Sequence, residues 1–240
     1  MEQYEFNAIG IDPSLDWKRI RKLLLIGLFA AGLATLGDML LGWGVQNETV
    51  TGIARMFSAY TAASEKRLLA ASLLGLFGMS LEGLCLFGIY RLMAEKSPRY
   101  AHSYRSGIIG YLIFGPCGFH VPVCAAIFTY KKMQELGLEA ASEVIKQYVG
   151  YFILPAFILF WIFFIVLEGT HILAFLKEKT PYPKWCWIFC MPVGMIIAKL
   201  FLVFGNHAWV NAIDCAWIHI GCLWMYGGLL VMMRKQIKDI

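Results

Sequence analysis

Long runs of apolar residues recur along the chain, and short polar stretches separate them. Six runs reach the length of about 20 helical residues that a hydrocarbon layer of about 30 Å requires. They lack the alternation of a barrel strand, and lipid offers no partner to an unpaired backbone amide, so we expect helices. The predicted spans are 23–43, 68–92, 107–130, 148–176, 185–205 and 212–233. The pattern therefore predicts an all-α, polytopic membrane protein, with residues 1–240 forming a single six-helix transmembrane bundle.

Lysine and arginine are unevenly distributed between the two sides of this bundle. With the amino terminus inside, fourteen of the 21 Lys and Arg residues fall on the inner side, six fall on the outer side, and Lys199 lies within a span. Cytoplasmic loops carry the excess of basic residues, so we expect both termini in the cytoplasm and residues 1–22 as a cytoplasmic segment. No cleavable signal peptide is recognised, and the first span is expected to remain as an anchor.

The composition excludes several classes of protein. Hydrophobic residues make up 59% of the chain and charged residues only 15%, whereas soluble domains have near a quarter charged residues. A soluble domain, a disordered chain, a disulfide-rich secreted domain and a nucleic-acid binder are therefore excluded. The seven cysteines fall in or at the ends of spans without a zinc-ribbon spacing, and we interpret them as small packing residues.

The outer loop 131–147 has its own pattern. Met133, Leu136, Ala140 and Val144 recur at helical spacing with charged residues between them. This arrangement predicts a short interfacial helix on the outer membrane surface. A solvated connector is the alternative interpretation.

Part of the second span is repeated in the fourth. Both contain Leu-Glu-Gly, followed beyond the membrane by Glu-Lys-Ser/Thr-Pro, and each glutamate lies nine residues before a basic residue, Arg91 or Lys177. Glu82 and Glu168 are thus expected at one depth, about 13 Å above the inner boundary. Duplicated helical hairpins would explain the repeat, and chance similarity in a biased alphabet is the alternative. With His171 one turn beyond Glu168, the glutamates form a candidate mid-membrane site.

Four ionisable residues on four different spans fall at a second common depth. Asp38 lies sixteen residues from the nearest inner-side cation, and His120, Lys199 and His219 lie fifteen. On straight helices this places all four at about 22 to 24 Å above the inner edge. Because an ionisable group in lipid is costly unless it faces a partner, we predict one buried polar layer in the outer half of the bundle. A purely structural polar lock between helices is the alternative.

The segment before the last span adds three polar residues. His207, Asn211 and Asp214 recur at i, i+4 and i+7, and on an early-starting helix they share one face. That face would form a polar mouth that leads from the outer water towards His219. We therefore regard these three residues, with His171, as candidate substrate-binding residues.

Three functions are compatible with these residues. The first is a membrane-embedded acid–base enzyme, such as an isomerase or hydrolase, acting on a hydrophobic or lipid-like substrate. The candidate catalytic residues are Asp38, His120, Lys199, His219, Glu82 and Glu168. The second is a proton- or ion-coupled transporter or channel, for which six helices would call for a homodimer. The third is a haem- or metal-binding protein, although the histidines match no tight metal motif and no cofactor is identified.

The second span with its lead-in, ASEKRLLAASLLGLFGMSLEGLCLFGIYRLM, resembles small multi-pass bacterial membrane proteins of unassigned function. The resemblance covers about the first 95 residues and depends on Glu82 and the closing Tyr90-Arg91-Leu92. It implies a six-helix protein of the bacterial inner membrane. It supplies no activity and no catalytic residue.

Overall fold

The computed structural model describes residues 15–234, and within them the chain is helical, with no strand. Residues 1–14 of the predicted cytoplasmic segment lie outside the described residues, as do Lys235 and Lys238, which are predicted on the inner side. The α-helices are α1 (Trp17–Gly42), α2 (Gly52–Ser58), α3 (Glu65–Cys85), α4 (Phe87–Ala94), α5 (Pro98–Leu112), α6 (Val121–Met133), α7 (Leu138–Tyr148), α8 (Leu154–Leu176), α9 (Met191–Leu200), α10 (Ala208–Cys215) and α11 (Trp217–Arg234).

Several of these helices are long and apolar enough to cross a membrane. Four continuous helical rods qualify, and the pair α10 and α11, bent by 64° at its break, raises the number to five if it counts as one span. The rods are Trp17–Gly42, Glu65–Ala94, Pro98–Leu136 and Leu138–Leu176. The apolar helix Met191–Phe204, within the predicted fifth span, is shorter. The all-α class is therefore confirmed, the apolar helices support a membrane protein, and six spans with both termini inside stay a prediction.

Local sequence explains where two of the rods begin and where one is irregular. Asp16 and Ser64 cap α1 and α3, because their side-chain oxygens accept hydrogen bonds from backbone amides of the first turn. Between α5 and α6 the rod passes through a π-helical segment, Ile113–His120, that contains Pro116. Proline lacks the amide hydrogen that continues an α-helical ladder, and such π segments are frequent at functional sites.

α1 is the central helix of the bundle, and it packs along α3 and α11. Glycines allow the close approach to α3: a β-carbon on Gly78 would lie 2.6 Å from the backbone nitrogen of Ala34. Small residues at such contacts let helix backbones pack tightly in lipid, where no hydrophobic force drives helices together. α5 packs along α8, and α9 packs along α11.

Two clusters of buried apolar side chains hold the bundle together. Met79 belongs to the larger cluster and Leu41 to the smaller one, and both residues line a cavity that contains polar side chains. The polar side chains are therefore enclosed between two apolar cores. This position removes most of them from lipid and from water.

Segment 131–147, predicted to be an outer loop, contains the end of α6, a short 3-10 turn and most of α7. Its buried face consists of Ala141 and Ile145, whereas Leu136, Ala140 and Val144 are exposed. The predicted helix is thus present, with its exposed apolar residues on the side away from the protein. That it lies on a membrane surface stays a prediction.

Candidate functional site

Asp38 is bound on both sides by histidines. Its Oδ1 lies 3.3 Å from Nδ1 of His120, and its Oδ2 lies 3.4 Å from Nε2 of His219. The three residues come from α1, from the end of the π segment and from α11. Both histidine side chains are almost fully buried, while 13% of the Asp38 side chain is exposed. Asp38 is therefore the member of this triad that is most open to an incoming molecule.

Glu82 extends the network inwards from His219. Its Oε1 lies 2.8 Å from Nδ1 of His219 and also accepts a hydrogen bond from the hydroxyl of Tyr111. The hydroxyl of Tyr226 donates to the backbone carbonyl of Glu82 at 2.6 Å. The second carboxyl oxygen of Glu82, Oε2, is buried without a hydrogen-bond partner. Both nitrogens of His219 are thus engaged by carboxylates, and one carboxyl oxygen remains unsatisfied.

A cavity of about 250 Å³ lies next to this network. Asp38, His120, Lys199 and His219 all line it, so the four ionisable residues that the sequence placed at one depth meet around one space. Lys199 forms an ion pair with Asp214, and its ammonium lies 4.1 Å above the ring of Trp217. Both members of the ion pair are about one-third exposed, which places the pair at the open side of the cavity.

Tyr60, which precedes α3, also lines the cavity. The neighbouring Cys215 side chain and burial raise the pKa of Tyr60 well above its ordinary value. The side chain is therefore a neutral phenol at physiological pH, able to donate a hydrogen bond. Sequence reasoning missed this residue, because a loop tyrosine carries no signal of proximity to a buried aspartate.

An apolar groove of about 580 Å³ runs between α8 and α9 and is open to the outside of the bundle. Its walls include Phe164, Ile165 and Met195, and Lys199 and Trp217 line both the groove and the polar cavity. The two spaces therefore share a wall that contains Lys199 and Trp217.

Glu168 and His171 lie elsewhere, and this corrects the predicted pairing of the glutamates. Oε2 of Glu168 accepts a 2.9 Å hydrogen bond from the backbone amide of Met191, the first residue of α9. Glu168 thus occupies the place of a capping residue, which Cys190 does not fill with its side chain. The described contacts join Glu82 to His219 instead, because side-chain reach and helix tilt override equal counts of residues. Glu168 does line the apolar groove, as does Lys199.

His171 is fully buried and stacks on Phe175, with ring centroids 4.6 Å apart. A side chain in this position packs in the core. The prediction that it binds substrate gains no support from this packing.

The three residues that were predicted to form a polar face before the last span make different contacts. Asp214 faces Lys199, whereas the side-chain amide of Asn211 donates to the carbonyl of Gly44 at 2.7 Å and to Oδ1 of Asn206 at 3.0 Å. His207 is exposed at the N-cap position of α10 and makes no side-chain capping bond. Of the three candidates, only Asp214 lines the cavity.

Two further residues belong to the polar network, and no pattern in the sequence singled them out. Tyr111 on α5 binds Glu82, and Cys222 lies one helical turn after His219 on α11. Ligand atoms of Glu82, His219 and Cys222 all lie within 4.8 Å of one another. A histidine and a cysteine three residues apart are a signal in the sequence, but the third ligand comes from another helix.

Comparison with known proteins places the chain in a family. The model of a family of unknown function (DUF6796) matches residues 6–236. No curated protein and no solved structure matches the chain significantly.

Proposed function

We propose a function from the geometry of the chain itself, because the chain belongs to the family of unknown function DUF6796, whose description assigns no activity. The proposal is a membrane-embedded enzyme that uses acid–base chemistry on a hydrophobic or lipid-like substrate. The observation that carries it is the position of Lys199 in the wall shared by two spaces: a polar cavity lined by Asp38 and His120, and an apolar groove open to the side of the bundle.

The roles follow from the positions of the side chains. Asp38 faces the cavity and exchanges a proton with the substrate, while His120 and His219 hold its two oxygens. Lys199, at the junction of cavity and groove, stabilises an anionic head group or a developing negative charge. The apolar part of the substrate lies in the groove. No nucleophile elbow or catalytic serine motif occurs in the sequence, so protonation, isomerisation and hydrolysis without a covalent intermediate are the reaction classes proposed.

Lipid turnover by the purified protein tests this function. Wild-type protein, Asp38→Asn and the control Glu65→Gln are reconstituted in vesicles of a total membrane lipid extract, and lipids are profiled over time by chromatography and mass spectrometry. Glu65 forms an exposed ion pair with Lys132, away from the cavity, so its substitution leaves turnover unchanged. We expect at least one lipid to change with wild type and control, and to change at least about 100-fold more slowly with Asp38→Asn. Equal profiles for wild type and Asp38→Asn would refute the proposal.

Proton or ion transport is the second candidate, and the contact chain from Asp38 through His219 to Glu82 favours it. Such a chain of ionisable groups across part of a bundle resembles a proton relay. Proton flux into liposomes, abolished by Glu82→Gln, would support transport. Turnover of a lipid without any proton flux would exclude transport and favour the enzyme.

The membrane arrangement of the enzyme is also a proposal. It comprises six spans with both termini in the cytoplasm, in the inner membrane of a bacterial cell, and the duplicated hairpins noted in the sequence. The proposed arrangement rests on the excess of Lys and Arg on one side and on the four or five helices that are long enough to span. A homodimer is proposed only for the transport function. Reporter fusions at both termini and in the 131–147 loop would test the orientation.

A further inference from the structure

Glu82, His219 and Cys222 form a compact group at the base of the polar network. Their ligand atoms lie within 4.8 Å of one another, and all three side chains are buried. Since His219 and Cys222 are three residues apart on α11, they point from one face of that helix, and Glu82 faces them from α3. One oxygen, one nitrogen and one sulfur ligand are thus presented to a common point inside the bundle.

The spacing of these atoms suits a metal cation. Zinc binds nitrogen and oxygen at about 2.0 Å and sulfur at about 2.3 Å, so ligand atoms in a tetrahedral site lie roughly 3.3 to 3.5 Å apart. The present 2.8 Å between Oε1 of Glu82 and Nδ1 of His219 would open by about half an ångström. Glu82 and His219 therefore need only a small adjustment of their side chains, and the Cys222 sulfur lies within 4.8 Å of both.

An unsatisfied atom points to a missing ligand. Oε2 of Glu82 is buried without a hydrogen-bond partner, although the Glu82 side chain is only 1% exposed. Buried carboxylate oxygens are normally paired, because an unpaired one forfeits its hydration without compensation. A cation bound beside His219 and Cys222 would supply the partner.

The surroundings resemble the outer shell of a metal site. Metal-binding histidines commonly have their second nitrogen bound to a carboxylate, which fixes the ring and its tautomer. Asp38 lies in this position, with Oδ2 3.4 Å from Nε2 of His219, and Tyr111 donates to Glu82 in the same way. Both partners of the second shell are therefore already present.

Charge balance favours a divalent cation. The network and the cavity bring together three carboxylates, from Asp38, Glu82 and Asp214, and one ammonium, from Lys199. In the metal-bound group His219 is a neutral ligand and Cys222 a thiolate, so the excess is three negative charges, or two when His120 is protonated beside Asp38. A divalent cation neutralises most of that excess.

We propose that Glu82, His219 and Cys222 bind a divalent transition-metal cation of the zinc class. A mixed nitrogen, sulfur and oxygen ligand set selects such metals over magnesium and calcium, which prefer oxygen ligands alone. Asp38 is a positioning residue in this site, acting through His219. The inference goes beyond the proposed function, because metal binding and lipid turnover are measured separately and either can be present without the other.

Metal binding is tested with the full-length protein in detergent. Metal content is measured after purification, and Co²⁺ is then added to chelator-treated protein as a spectroscopic probe. We expect one metal per chain and a thiolate-to-cobalt charge-transfer band. Cys222→Ala abolishes the band and lowers the affinity for Co²⁺ by more than about 10-fold, whereas Cys186→Ala, a buried cysteine elsewhere in the core, leaves both unchanged. Asp38→Asn keeps the band and weakens binding by about 10- to 100-fold.

Three outcomes would overturn the inference. These are a chain that binds no Zn²⁺ or Co²⁺, a metal that stays fully bound in Cys222→Ala, and a cobalt complex without a sulfur band. If Cys222→Ala does not fold, X-ray absorption of the wild-type zinc complex decides, since a sulfur neighbour at about 2.3 Å is required. If the wild-type protein binds no metal and Asp38→Asn still loses lipid turnover, the metal site is refuted and the proposed function is supported.

Discussion

The imidazole ring of His120 lies against Gly75, in the space that a β-carbon on Gly75 would occupy. His120 also places Nε2 3.3 Å from the backbone carbonyl of Ala71, one turn earlier on α3. The ring is thus fixed between the bare surface of α3 on one side and Asp38 on the other. A glycine in the middle of a helix is otherwise unfavourable, so its presence here is explained by the position of the histidine.

Gly75→Ala is expected to displace His120 and to disrupt its contact with Asp38. Overpacking at such a position costs about 1 to 3 kcal/mol, more than alanine gains from its better helix propensity. The control is Gly32→Ala on α1, because a β-carbon there meets nothing within 4 Å. Thermal unfolding in detergent should show a lower midpoint for Gly75→Ala and an unchanged or higher one for Gly32→Ala. Equal midpoints would show that the His120 ring moves freely.

The convergence of four ionisable side chains could be predicted from the sequence for a simple geometric reason. Each residue of a helix advances about 1.5 Å, so equal counts from the inner-side cations placed Asp38, His120 and His219 at one level. The structure brings these three residues and Lys199 around one cavity. Ionisable side chains are costly in lipid unless they face a partner. Their presence on separate helices was therefore enough to predict that they converge.

Counting residues from the inner-side cations gave the wrong neighbours for Glu82. The count estimates the depth of a residue along its helix, but it gives neither the tilt of the helix nor how far the side chain extends. Glu82 was placed well below His219, yet the two side chains are in contact. The sequence also did not indicate the bend of 64° at Ala216, which separates α10 from α11. No proline or glycine lies at that break. Because the residues around it are apolar, a prediction from composition runs one helix across it.

The ion pair of Lys199 and Asp214 should contribute little to stability. Both side chains are about one-third exposed, and pairs of this kind are worth about 0.2 to 1 kcal/mol. We therefore expect Asp214→Asn to change the free energy of unfolding by less than about 1 kcal/mol. Lys199→Met should cost slightly more, because the ammonium also lies over Trp217 in a contact worth about 0.5 to 1 kcal/mol.

A double-mutant cycle on these two residues measures their coupling directly. Chemical unfolding of the wild type, both single variants and the double variant gives the interaction energy. A coupling well above 1 kcal/mol would mean that the pair is shielded from solvent and holds the cavity closed.

Asn211 is expected to hold the loop after α1 in place. Its side-chain amide binds Gly44 and Asn206, and Asn206 in turn accepts a hydrogen bond from the backbone amide of Gln46. Asn211→Ala should lower stability by about 1 to 2 kcal/mol and speed hydrogen exchange at residues 44–48. Asn47→Ala is the control, since its exposed side chain binds only Thr49 nearby. Faster exchange in the control to the same extent would contradict this role of Asn211.

Tyr182 should make stability fall in alkali. The side chain is buried in the loop between α8 and α9, its hydroxyl donates to the carbonyl of Leu229 at 3.2 Å, and burial raises the pKa of this phenol above its ordinary value. Because the pKa of Tyr182 is higher in the folded state, its contribution to stability is complete below about pH 10, the pKa of an unfolded tyrosine. That contribution is lost as the pH rises towards the folded pKa.

Tyr182→Phe should cost about 1 kcal/mol at neutral pH through the lost hydrogen bond, yet lose less stability than wild type above about pH 10. Unfolding midpoints measured from pH 7 to 11 test this, with Tyr151→Phe as the control, because Tyr151 is 73% exposed and should follow wild type throughout. Parallel curves for wild type and Tyr182→Phe in alkali would show that another group controls the loss.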